Sequence, residues 1–301
     1  MLATDGACVD GRGSSGYDSA MTAEGLIVKM PVTLTNGTAR YRLRLEQPRP
    51  SAGAEPAGVE EIELNDLVGH SLTVVHSGGY TCTRCGRAAS KLFGDGFCYP
   101  CFRDAPEAAE CIVKPELCEA HLGGGRDPQW EQDHHNQPHV VYLAVTSAVK
   151  VGVTRSTQVP TRWIDQGAAW AVRIARVPYR QLAGRIEVSL KALFTDRTAW
   201  QRMLKGETRA DVDIGAEVEK VRDYLAGTDL EQYLIGPDEL ERVDIAYPVR
   251  TAPVKVRSTG LQKAPVITST LEGIRGQYLI FEDGVVMNMR RHSGFVVQIS
   301  V

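Results

Sequence analysis

The sequence predicts an α+β protein, and three observations carry that expectation. Tyr41, Leu43 and Leu45 alternate with Arg40, Arg42 and Arg44, a strand period of two with one wet face. Leu182, Ile186, Leu190 and Leu193 recur at the spacing of one helix face. Between them lie two cysteine pairs, Cys82-Thr-Arg-Cys85 and Cys98-Tyr-Pro-Cys101. Four thiolates at that spacing suit one tetrahedral Zn²⁺. The expected architecture is an N-terminal β segment with a four-cysteine zinc ribbon, a central β-hairpin/α/β/α domain and a C-terminal small β-barrel-like region.

Residues 1–22 read as a disordered leader rich in Gly, Ser and Asp. They lack the basic and apolar regions of a signal peptide, and Cys8 within them is expected to bind no metal. Residues 23–136 read as the β segment with the zinc-binding region. Strands are expected at 25–30 and 39–45, a Pro/Ala/Gly-rich surface loop at 47–58, and a strand pair between 61 and 75. Residues 86–97 have the length of a hairpin that returns the second cysteine pair to the first. Gly86 suits the tight turn because glycine accepts a positive φ. Residues 103–136 have little periodicity and need a staple.

Residues 137–205 read as the central domain. A hairpin over 140–153 turning at Ser147 precedes a helix at 161–168, a strand at 170–177 and helices at 181–193 and 198–204. Residues 206–243 read as a helical linker with a helix at 212–226. Residues 244–301 are all strand and turn, with Gly260, Gly273, Gly276, Gly284 and Gly294 at the corners and bulges of a small β-barrel or half-barrel. Arg275, Arg290, Arg291 and His292 there are candidates to face a phosphate.

The chain has 301 residues, 43% hydrophobic, with a net charge of −3. Nothing global argues for a nucleic-acid coat or a membrane surface, so any such binding must come from a local patch. No apolar run approaches the roughly 18–20 residues that span a bilayer. Paired thiols without an export signal point to the cytoplasm, where they ligate metal rather than form disulfides.

A second metal candidate follows the first. Cys111 precedes Cys118-Glu-Ala-His121, and Asp133, His134, His135 and His139 come next. Cys118 and His121 would share one turn, Cys111 would be the third ligand, and His134 or His135 the fourth. The plain alternative is a loose loop with surface histidines, with His139 a core or edge residue. A further alternative is a hydrolytic zinc on Cys111, Cys118 and His121, with Asp127, Glu131 or Asp133 as base.

The stretch from Tyr142 through Lys150-Val-Gly152 and Arg155, then Thr161-Arg-Trp163, a strand, and a helix bearing Glu187 resembles the core of the GIY-YIG nuclease superfamily. The resemblance implies that Tyr142 frames the site, that Arg162, or Arg155 in its place, contacts the scissile phosphate, and that Glu187 holds one divalent ion, Mg²⁺ or Mn²⁺. The sequence departs from the family pattern in two ways. Val151, or Lys150 beside it, stands where a second Tyr belongs, and residues 156–160 lengthen the step to Arg162. Lys150, Arg155, Arg162, Arg173, Arg176, Arg180, Arg185 and Lys191 face only Asp165 and Glu187 in this segment. A phosphate site on Lys150, Arg155 and Arg173 follows, with DNA or RNA as partner. The bland reading is a set of solvated helix faces. Trp163 would stack on a base or fill the core.

Longer strings are similar to the DUF2797 family of proteins of unknown function: Cys98-Tyr-Pro-Cys101-Phe102, His139-Val-Val-Tyr142-Leu-Ala144, Lys150-Val-Gly-Val-Thr-Arg155 and Pro160-Thr-Arg-Trp163 onward. That similarity runs from about Ala23 and implies a zinc ribbon joined to a mixed α/β protein. Three functions remain open: a nucleic-acid-binding, metal-dependent phosphodiesterase, a non-catalytic, zinc-organised nucleic-acid or protein interaction module, or a zinc hydrolase at Cys111, Cys118 and His121.

Overall fold

A computed structural model describes residues 21–208 and 212–301. The expected leader, with Cys8, lies outside them except for Met21 and Thr22, and Thr22 opens the first strand. The elements in order are β1 (Thr22–Ile27), β2 (Val32–Thr35), β3 (Thr38–Glu46), β4 (Val59–Glu63), β5 (Ser71–Tyr80) and α1 (Tyr99–Asp104). Four single 3-10 turns between Pro106 and Leu122 lead to α2 (Pro128–His134). Then come β6 (His139–Val145), β7 (Val149–Arg155), α3 (Thr161–Asp165), β8 (Trp170–Val177), α4 (Arg180–Leu190), α5 (Trp200–Leu204) and α6 (Ile214–Leu225). The last strands are β9 (Arg242–Asp244), β10 (Arg257–Thr259), β11 (Val266–Arg275), β12 (Tyr278–Phe281), β13 (Val285–Asn288) and β14 (Phe295–Ser300).

The strands build two open sheets. The larger runs β10-β13-β12-β11-β5-β14-β1-β3-β2, with β4 also on β3. The expected separate C-terminal barrel is therefore corrected: among the described residues no barrel closes. β14 lies between β5 and β1, so strands from both ends of the chain share one sheet. The physical reason is the apolar alternation of β14, whose Phe295, Val297 and Ile299 are buried with Ile27, Leu43 and Leu45 in one core.

The smaller sheet runs β7-β6-β8-β9. All seven residues of β6 are buried, because the strand is covered on both faces. Tyr142 and Ala144 join the core of the larger sheet with Trp163 and Ile164 of α3. Val141, Leu143 and Val145 join a second core with Leu182, Ile186 and Leu190 of α4 and Val218, Val221 and Leu225 of α6. Alternation along one strand thus sends α3 to one face and α4 to the other.

Polar ties hold α3 to the larger sheet. Arg275 donates from Nε and Nη2 to the Gly167 carbonyl (3.1 and 3.0 Å). Gln277 bonds both the Asp165 carboxylate (3.0 Å) and the Met30 backbone. The Tyr247 hydroxyl donates to the Ala168 carbonyl (2.8 Å). Arg275 is therefore a buried structural group and faces no phosphate. His292 is likewise buried and bonded to the Leu261 amide (3.1 Å), whereas Arg290 is paired with Asp95 and lines one cleft with Arg162 and Glu187.

Candidate functional site

Cys82, Cys85, Cys98 and Cys101 converge, with all four sulfurs within 4.8 Å of one another. The Cys85–Cys98 Sγ separation is 3.8 Å. A tetrahedron with Zn–S bonds of about 2.3 Å has edges of about 3.8 Å, so the geometry is compatible with zinc. The first pair sits on a knuckle closed by Gly86 N–H to Cys82 O and Cys82 N–H to Arg87 O (both 2.9 Å). Gly86 has φ +70°, and a Cβ there would stand 1.8 Å from the Arg49 carbonyl oxygen. The second pair sits at the start of a helix: Cys98 precedes α1 and Cys101 lies within it. Residues 86–97 form no full hairpin strands, only the isolated bridges Thr81–Ala88 and Phe93–Phe97.

Thiols this close ionise against one another. Burial pushes the Cys101 thiol up, and its sulfur neighbours push it further. Cys85 is also pushed up by burial, but hydrogen bonds led by the Arg87 guanidinium (3.5 Å) bring it down to about 6. A divalent ion supplies the positive charge that lets all four exist as thiolates.

The second cluster forms from a different set than the sequence suggests. Cys111, Cys118 and His135 meet, and the fourth member is Glu131. His121 is not among the four clustered ligands and is stacked flat on Tyr179 (4.4 Å between centroids). His134 also lies outside, stacked on Trp130 with its Nδ1 at the Trp130 carbonyl (2.8 Å). The cause is helical phase: α2 puts residues four apart, Glu131 and His135, on one face and turns His134 away. That i,i+4 pair was the available signal for Glu131. His139 is a core residue whose imidazole is held neutral by burial, down to about 4.

A cleft of about 570 Å³ opens along the smaller sheet, and Tyr142, Arg162 and Glu187 all line it. They come from β6, α3 and α4. Those helices cover opposite faces of the sheet, so their side chains converge only at its margin. β7 is that edge strand, and Lys150 to Arg155 line the cleft without a break. Gly152 lets Tyr142 lie across the strand, since a Cβ there would stand 2.5 Å from the hydroxyl. The hydroxyl accepts from Gln166 Nε2 (2.7 Å), one helical turn beyond Arg162 and unremarked in the sequence. Trp163 is buried against Tyr142, centroids 5.9 Å apart, and fills the core instead of offering a face to a base.

Burial governs the electrostatics here. It raises the Tyr142 phenol, which also feels Arg162 and Glu187. It raises the Glu187 carboxyl against the lowering pull of Lys191 and Lys150. It lowers the Lys150 ammonium to about 8, helped by Arg162. It lowers Arg155 as well. Among the described residues, Lys150, Arg155 and Arg162 make no ion pair. Arg173 does not line the cleft; it pairs with Glu241 (3.2 Å). Arg176 pairs with Glu239 and Arg185 with Asp229. The basic segment is thus divided, because carboxylates from residues 229–241 fold back onto one side of it.

No helix among the described residues is long and apolar enough to cross a membrane. No curated protein and no solved structure matches the chain. One family described as "protein of unknown function (DUF2797)" matches residues 69–297. That span covers both cysteine clusters and every residue of the cleft except Lys29, and the chain belongs to the DUF2797 family.

Proposed function

We propose that this is a zinc-binding protein whose cleft seats a nucleic-acid phosphodiester and cleaves it with one divalent ion held by Glu187. The observation that carries the reading is the convergence of Tyr142, Arg162 and Glu187 with Lys150 and Arg155 in one cleft. The order of elements, a strand with Tyr142, a strand with Gly152, a helix with Arg162, a strand and a helix with Glu187, supports the resemblance to GIY-YIG nucleases. Arg162 and Arg155 are cations without carboxylate partners among the described residues, as phosphate binding requires. The bound Mg²⁺ or Mn²⁺ would stabilise the leaving oxygen. Tyr142, buried and with a raised pKa, orients the attacking water and does not deprotonate it. Lys150, beside the place of the family's second Tyr, is the group near neutrality that can take the proton.

The test is cleavage of plasmid and structured RNA with Mg²⁺, comparing Glu187→Gln with the parent. Activity should fall by roughly 10²-fold or more; equal rates remove Glu187 from the mechanism. Binding should weaken with salt on a log–log plot, and Arg162→Ala should reduce the slope by about 1. A flat plot removes nucleic acid as the ligand. One observation favours a non-catalytic binding module: Lys191 and Lys150 already act on the Glu187 carboxylate and compete with a metal ion. Salt-dependent binding without cleavage by the parent would select that module.

A further inference from the structure

We propose that Cys111, Cys118, Glu131 and His135 form a second tetrahedral zinc site, and that the ion there positions helix α4 and with it Glu187. The site is independent of the cleft's chemistry and stands on four observations.

The first is geometry. The four ligand atoms lie within 4.8 Å of one another. Cys118 Sγ is 3.6 Å and Cys111 Sγ 3.9 Å from His135 Nδ1. A zinc tetrahedron with Zn–S of about 2.3 Å and Zn–N of about 2.0 Å has S–N edges of about 3.5 Å. The donors come from two separate stretches, residues 111–118 with their 3-10 turns and helix α2 with His135 at its C-terminal end, so an ion would staple them together.

The second is a half-satisfied carboxylate. Glu131 is 1% exposed; its Oε2 meets His135 Nδ1, but its Oε1 has no hydrogen-bond partner. A carboxylate that deep is costly unless a cation faces it. The Arg180 guanidinium directs its donors elsewhere: Nε and Nη2 to the Cys111 carbonyl (3.1 and 3.0 Å), and Nη2 to that of Ile112 (2.9 Å). The third is the donor set. Two thiolates, an imidazole and one carboxylate suit Zn²⁺ and exclude the all-oxygen coordination of Mg²⁺ or Ca²⁺. Gly125, at φ +126°, lets the chain pass against Glu131, where a Cβ would stand 2.3 Å from its Cγ. Four buried protein donors fill a tetrahedron and leave no open position, as in structural zinc sites.

The fourth is the route to α4. The Arg180 amide, at the start of that helix, donates to the carbonyl of the ligand His135 (3.0 Å). Its guanidinium holds the carbonyl of the ligand Cys111. One turn on, Gly184 meets the Pro115–Glu116 backbone so closely that a Cβ would stand 2.2 Å from the Glu116 nitrogen. Whatever fixes the 110–117 turns and His135 thus fixes the helix that carries Glu187.

The experiment is metal analysis of the full chain expressed with zinc. The proposal expects two zinc ions per chain, falling to one in Cys111→Ser/Cys118→Ser. X-ray absorption on the unsubstituted chain guards against a variant that does not fold. Six thiolates over two ions average about three sulfurs per zinc, whereas a single four-cysteine site alone averages about four. One zinc per chain with four sulfurs overturns the second site. For the relay, amide hydrogen exchange in α4 should quicken in the double variant while β6 and β8 stay protected; unchanged α4 exchange in a variant that has lost one zinc overturns it.

Discussion

Lys150 stands on an edge strand, yet only 8% of its surface is exposed. Its ammonium is pushed down to about 8 by burial, with Arg162 adding to the effect. The folded pKa lies below the unfolded value near 10.5, so the unfolded chain binds more protons between those limits. Stability should therefore rise with pH from about 8 to 10.5, by up to the order of 3 kcal/mol. Lys150→Met should remove that rise in a denaturant titration run at several pH values. If neutral Lys150 takes the proton, cleavage should increase through about pH 8, and the same variant should lose the increase. A parent rate that is flat across that range excludes the role. Lys150 was legible in the sequence as a basic residue beside Gly152. Its missing charge partner was not, because that depends on which carboxylates fold toward it.

Helix α4 serves three neighbours with one turn pattern. Leu182, Ile186 and Leu190 face the second core, Arg180 and Gly184 face the 110–117 turns, and Glu187 faces the cleft. The apolar stripe was readable from spacing alone as far as Leu190, where the helix ends; Leu193, expected on the same face, is exposed. Gly184 in mid-helix reads as a weak helix former, and the reason for it sits about seventy residues earlier in the chain. Gly184→Ala improves helix propensity but collides with backbone atoms, and the helix cannot retreat because its other face is packed. The expected net effect is a loss of about 1–3 kcal/mol, read as a lower thermal midpoint. An unchanged or higher midpoint would show that the contact is slack.

At the scale of the molecule, the first cysteine cluster is its own small core. Its buried members are the four cysteines and Phe97, with Ala89 and Ala108 against them. So little apolar surface does not hold a fold without a staple. Strong chelators should therefore open residues 81–105 to proteases before the sheets melt, and zinc should restore protection. Equal protease resistance with and without metal would show that the lobe stands on packing alone. The larger sheet depends instead on the two chain ends meeting, since β14 pairs with both β1 and β5.

Sequence alone determined most strands and the helices after residue 160, the first cysteine cluster and the resemblance that singled out Tyr142, Arg162 and Glu187. Periodicity, turn chemistry and Cys-x-x-Cys spacing are local, and a reader needs only neighbouring residues to see them. Tertiary structure decided the rest. It merged the terminal strands into one open sheet, exchanged His121 and His134 for Glu131, removed Arg173 from the cleft and left Lys150 unpaired in it. Each of those outcomes turns on which distant groups share a buried volume, and burial is settled only when both faces of β6 have been covered.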